Sequence, residues 1–200
     1  MRCGYSGWIV AACLAIATAG CSRSPRVTFY TLEPGTVSGT TVTAWSAPAV
    51  AVGPVTLPEL VDRPQLVVRV AANRVEILET QRWAEPLKSE IPRILAENLR
   101  RLLGSTRVST YLQNTAVDAD YRVLVDIQRF ESSPGESVTV EAAWSLRRAA
   151  GGGRKTGHSL VREPVDAIGY DPLVAAYGRA FLAVSRDLAE AIRAETSPGK

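Results

Sequence analysis

The longest run of strict alternation between apolar and polar positions lies between residues 121 and 148. Tyr121, Val123, Val125 and Ile127 alternate with Arg122, Asp126 and Gln128. After a short gap, Val138, Val140, Ala142, Trp144 and Leu146 alternate with Thr139, Glu141, Ser145 and Arg147. Side chains of a strand point alternately to its two faces, so this period of two predicts two strands, each with one buried face. Ser132-Ser133-Pro134-Gly135 between them predicts a hairpin turn. Residues 149–153 predict a second turn, into a strand over about 155–163. Earlier in the chain, β-branched and aromatic residues predict strands over 27–32, 50–55, 66–70 and 74–78, the last two paired about Ala71-Ala72-Asn73, and a short one over 107–111. Residues 36–47 are rich in Ser, Thr and Gly and read as a loop.

The period changes to that of a helix in two places. Leu87, Ile91, Ile94, Leu95, Leu99 and Leu102 form one stripe, with Lys88, Glu97, Arg100 and Arg101 off it, and Gly104 follows as a stop. The start of this helix has two readings. Either Pro86 opens it and Pro92 kinks its interior, or Ser89 caps a shorter helix with Pro92 in the first turn. Leu173, Tyr177, Phe181, Val184, Leu188 and Ile192 predict a second amphipathic helix over about 172–194, capped by Asp171. Together these elements predict an α+β class: one domain over 26–195, with a mixed, mostly antiparallel sheet, two amphipathic helices on one face and a more polar opposite face.

The amino-terminal residues form a different kind of segment. Arg2 precedes an apolar run from Trp8 to Ala17, and Thr18-Ala19-Gly20 then leads into Cys21. A charged start, an apolar middle and a small-residue cleavage site are the order of a secretory signal. With a cysteine at its end, residues 1–20 read as a lipoprotein signal peptide, Cys21 as the lipidated residue and residues 21–25 as its tether. Thr18 departs from the leucine usual at that place. The rival readings are release near Ala15-Ile16-Ala17 as a soluble periplasmic protein, or an uncleaved anchor. The run is shorter than the ~20 residues of a spanning helix.

Composition narrows the function classes. Without its leader the chain carries 22 Lys and Arg against 20 Asp and Glu, a balance with no strongly basic face for nucleic acid. Cys3 and Cys13 leave with the leader, so no disulfide is expected and packing must carry stability. His158 is the single histidine, and no Gly-x-Ser-x-Gly elbow accompanies any serine. One histidine and no free cysteine also disfavour the usual zinc ligand sets. His158 reads as an exposed strand residue, and Asp118 and Asp120 as a solvated turn at a strand start. Gly151-Gly152-Gly153-Arg154-Lys155-Thr156 lacks the phosphate-loop spacing and leads into a strand, so it reads as a hairpin turn. No catalytic residue, metal site or cofactor is expected, and the chain reads as a non-enzyme.

The segment from Gly53 to Leu87 is unusually specific for a connector. Pro54, Pro58 and Pro64 stiffen it, and Asp62-Arg63 stands just before a strand, describing an extended loop that presents side chains. Asp62, Arg63, Gln65 and Trp83 are the candidate partner-binding residues. Trp83, just before the first helix, is either a core anchor or part of a partner surface, where Trp and Arg often carry binding energy.

At these residues the chain resembles the PqiC/YmbA-like lipoproteins, auxiliary components of ABC-type transport systems. The resemblance rests on Phe29-Tyr30-Thr31-Leu32 soon after the cysteine, Gly53-Pro54-Val55, Leu57-Pro58 with Asp62-Arg63-Pro64-Gln65, and Trp83-Ala84-Glu85-Pro86-Leu87. It implies a non-enzymatic outer-membrane lipoprotein on the periplasmic face, partner of an MCE-domain protein and its permease in lipid transport between two membranes. Ser22 after Cys21 fits outer-membrane sorting. Homo-oligomerisation through sheet edges is a further expectation. The alternatives are a periplasmic lipid-binding carrier, with a pocket behind Tyr177, Phe181 and Val184, or an envelope assembly factor.

Overall fold

The structure, a computed structural model, describes residues 25–36, 47–113, 116 and 118–196. Cys21, the leader and most of the predicted 36–47 loop lie outside the described residues. The strands are β1 (Thr28–Tyr30), β2 (Val50–Thr56), β3 (Gln65–Ala71), β4 (Arg74–Trp83), β5 (Val108–Thr110), β6 (Tyr121–Ser133), β7 (Ser137–Arg148) and β8 (Arg154–Pro164). The helices are α1 (Leu87–Leu103) and α2 (Asp171–Thr196). The class is the expected one, a single α+β domain.

The predicted sheet is divided in two, with strand orders β5-β2-β6-β7-β8 and β1-β4-β3. In the larger sheet β2 pairs in parallel with both β5 and β6, while β6, β7 and β8 form an antiparallel meander. In the smaller one β1 pairs in parallel with β4, and β3 and β4 form an antiparallel hairpin. Both helices contact each other and one face of the larger sheet, α1 against β2 and β5, α2 against β7 and β8.

The period-two residues explain the layers. Tyr121, Val123, Val125 and Ile127 on β6 and Val138, Val140, Ala142 and Leu146 on β7 are buried against the helices. Their alternates Arg122, Asp126, Gln128 and Arg147 are exposed on the outer face. The stripe of Tyr177, Phe181 and Val184 is packed core. Phe130 stacks on Tyr177 at 4.0 Å.

Both turns form as expected. In the first, Glu136 N–H donates to Ser133 O with Gly135 at φ 73°. At the second, Arg148 N–H donates to Gly153 O. β8, carrying His158, is an edge strand. His158 Nε2 lies 2.9 Å from Glu141 Oε1 and half of the side chain is exposed.

The start of α1 resolves the two readings of its sequence. Pro86 has extended angles (φ −57°, ψ 130°) and is the cap, no side chain caps the helix, and Ser89 lies inside it. The Ser89 start is therefore set aside. The helix is unbroken through the buried Pro92, which forgoes one backbone hydrogen bond. Gly104 ends it in the left-handed conformation, φ 61°, as Gly at that place favours.

One close approach locks β8 to β7. The Trp144 indole lies over Gly157, where an added Cβ would stand 2.1 Å from its ring. Trp144 Nε1 donates to Ser159 Oγ at 3.1 Å, and Ser159 donates to Asp187 Oδ2 of α2 at 2.5 Å. Gly157→Val is therefore expected to cost about 3 kcal/mol in urea unfolding, since the ring must leave its bonded position. Gly153→Ala, with open space around it, should stay within about 0.5 kcal/mol.

Candidate functional site

The connector singled out in the sequence folds into one surface feature. After β2, the chain turns at Pro58, whose carbonyl accepts from the N–H groups of Val61 and Asp62 at 3.1 and 3.2 Å. The turn hands the chain to β3 at Gln65, which pairs with Arg82 near the end of β4. Trp83 N–H donates to Pro64 O at 2.7 Å, and Ala84 N–H donates to Tyr30 O at 2.8 Å. The β4–α1 junction is thereby held between the 57–64 loop on one side and β1 on the other.

These three segments enclose an open pocket of about 430 Å³. Asp62, Arg63 and Pro64 form one wall, Phe29 of β1 another, and Arg82 to Leu87 the base. The structure thus brings together three of the four predicted residues, Asp62, Arg63 and Trp83. Gln65 turns away, donating to Glu79 Oε2 at 3.2 Å, and does not line the pocket.

Trp83 occupies the first of its two readings. It is 5% exposed. Its ring meets Phe130 and Tyr177 edge-on at 6.1 and 6.2 Å, so it anchors the core from beneath the pocket rather than being presented at the surface. Edge-to-face contacts of this kind add to the burial of such large rings.

The pocket's electrostatics are balanced. Asp62 pairs with Lys88 Nζ at 2.5 Å, and Arg82 Nη2 reaches Glu79 at 3.5 Å. Arg63 differs: its Nε is buried and makes no hydrogen bond. Leaving a buried donor unsatisfied costs roughly 1–3 kcal/mol. Phe29, 64% exposed on the wall, is a large apolar side chain left to solvent. The sequence reading missed Phe29, Arg82 and Lys88. Phe29 looked like a strand residue and Lys88 like solvated helix, and only the meeting of β1, β4 and α1 makes them neighbours.

The remaining candidates have structural roles. Asp120 Oδ2 accepts from Ala49 N–H at 2.7 Å and lies 3.6 Å from Arg107. No group of three or more His, Cys, Asp and Glu among the described residues is placed to hold a metal ion. No helix among them is long and apolar enough to cross a membrane.

The described residues thus form an α+β domain with an open pocket between the 57–64 loop, β1 and the β4–α1 junction. The chain belongs to the family of ABC-type transport auxiliary lipoprotein components, which it matches over residues 30–189. Membership makes it a lipoprotein component of the cell envelope with an accessory role in transport. Two crystal structures share the fold. One, of an uncharacterized protein, has TM-score 0.66 at 18% identity, covering 84% of this chain and 99% of that one. The other, of a protein from Xanthomonas campestris, has TM-score 0.64 at 16% identity, covering 80% of this chain and 92% of that one. No curated protein matches in sequence.

Proposed function

We propose that this chain is a non-enzymatic outer-membrane lipoprotein of an ABC/MCE-type lipid transport system. Cys21 carries its lipid anchor, and the pocket around Asp62 and Arg63 docks the periplasmic end of the transporter, an MCE-domain protein held by its permease. Homo-oligomers through the sheet edges would multiply that contact. The observation that carries the reading is the pocket itself, in which an exposed Phe29 stands with Asp62 and Arg63 around one open hollow. An apolar anchor next to an arginine is the composition of interaction hot spots. Trp83 supports it from the core, and Gln65 serves the hairpin rather than the contact.

The test is isolation of the acylated protein from its own membranes, with identification of what accompanies it. An MCE-domain protein and its permease should co-purify with the native chain. Asp62→Lys and Arg63→Glu should each reduce that recovery at least fivefold, with thermal unfolding little changed. Cys21→Ala should abolish acyl labelling and membrane fractionation. Equal recovery by both charge variants would refute the assignment of the docking surface.

A further inference from the structure

The register of the larger sheet places three arginines side by side on its outer face. Arg122 of β6 stands opposite Arg147 of β7, and Arg147 stands opposite Arg154 of β8. All three are exposed. Directly opposed residues have Cβ atoms only about 4.5–5.5 Å apart, and like charges placed so are destabilising.

None of the three has an ion pair or hydrogen-bonded side-chain partner among the described residues, whereas the other cations of the sheet have theirs. Arg129 pairs with Glu131 and Glu141, and Lys155 with Glu195. Arg148 points to the other face, where it donates to the Tyr121 hydroxyl. A row of unneutralised guanidinium groups across three strands is a cost to folding that no contact among the described residues offsets.

The next row along the strands is of a different kind. Leu124, Ser145 and Thr156 stand opposite one another there. With Pro54, Thr56 and Ala143 they line a hollow of about 320 Å³; Arg154 lies on one rim, and Asp126, which accepts from the Thr56 hydroxyl, closes the opposite end. Hydroxyls and guanidinium groups donate to oxyanions, and arginine does so through two parallel bonds. Leu124 and Pro54 offer an apolar rest for the carbon attached to such a group.

We propose that Arg122, Arg147 and Arg154, with Ser145 and Thr156, form an oxyanion site for the phosphate group of a phosphate ester. A lipid headgroup is one source of that group and free inorganic phosphate another. The site is compact, because three strands span only about 10 Å between the outer two. One row beyond Ser145 and Thr156 stands Asp126 at the end of the hollow, and Glu141 follows farther along the same face. An extended polyanion such as a nucleic acid would run over both carboxylates, whereas a single phosphate held between the arginine row and the Ser145–Thr156 row stands one row short of Asp126. The site lies apart from the Phe29–Arg63 pocket, so it stands or falls independently of the docking reading.

Isothermal titration of the acylated full chain in neutral detergent tests it, with inorganic phosphate, glycerol 3-phosphate and dihexanoyl phosphatidylglycerol as separate probes. Saturable binding of at least one probe is expected. The double variant Arg147→Gln/Arg154→Gln should weaken it at least tenfold, whereas Arg129→Gln should change it less than twofold. Relief of charge repulsion should leave the thermal midpoint of the double variant equal to or above that of the native chain, which separates lost binding from lost folding. Tenfold tighter binding of the lipid than of inorganic phosphate identifies a lipid headgroup as the ligand, and equal affinity identifies free phosphate. No saturable binding of any probe, or binding unchanged in the double variant, overturns the proposal.

Discussion

Trp83→Ala is expected to lower the unfolding free energy by about 3–5 kcal/mol, the range for removing a large buried aromatic ring. The ring is 5% exposed and closes a cluster in which Phe130 and Tyr177 stack at 4.0 Å and 5°. Its loss opens space against both rings and beneath the pocket at once. Asp62→Lys removes the surface pair with Lys88 and sets a like charge beside it, and surface pairs contribute up to about 1 kcal/mol. Urea unfolding of the two variants checks the contrast. Comparable losses would show that the 57–64 loop carries the domain's stability and that Asp62 acts through it.

Glu90→Gln is expected to change how stability depends on pH. The side chain is fully buried in the first turn of α1, near the segment that follows β1. Its Oε1 accepts from Leu32 N–H at 3.4 Å and from Arg93 at 3.3 Å, while Oε2 has no partner. Burial pushes its pKa up to about 7 from 4.5; the Leu32 N–H and Arg93 oppose the rise, and Glu85 and Glu33 add to it. Between those values the folded chain keeps a proton that the unfolded chain has lost. The contribution to stability is therefore complete below pH 4.5, declines as pH rises to about 7, and is constant above. Its full size is about 3 kcal/mol, because each tenfold difference in proton affinity between the folded and unfolded chains is worth roughly 1.36 kcal/mol. Urea unfolding at pH 5 and pH 8 should show the native chain losing most of this, and the Gln variant losing far less and exceeding the native chain at pH 8. A pH difference of the same size in both would assign it to other groups.

Glu90 also shows how the start of the domain is fastened. An added Cβ at Gly178 would stand 2.6 Å from Glu33 O, and one at Gly35 would stand 2.7 Å from Leu182. The segment after β1 thus runs directly on α2 while Leu32 enters the core. Deprotonation of Glu90 acts at the place where the chain leaving β1 meets both helices.

The local periods of the sequence determined most of the elements. The alternation in 121–148 became β6 and β7, because a strand with one dry face must repeat every second residue, and the turn at 149–153 leads into β8 as expected. The two helical stripes became α1 and α2 for the corresponding reason at 3.6 residues. Gly104 and the Ser133–Glu136 turn were legible because a left-handed φ singles out glycine. Pro92 was ambiguous because its cost of one hydrogen bond is small beside the burial of Ile91, Ile94 and Leu95 around it.

Tertiary structure alone decided what no local period encodes. The parallel pairings of β1 with β4 and β2 with β6 join segments far apart in the chain, and they split the expected single sheet in two. They also made Phe29, Arg63 and Lys88 neighbours of one pocket and turned Gln65 out of it. Trp83 had two readings until its ring was placed between Phe130 and Tyr177. Arg122 and Arg147 were ordinary outward residues in the sequence, and Arg154 stood in a predicted turn. Only strand register, set by which faces must be dry, placed them in one unpaired row.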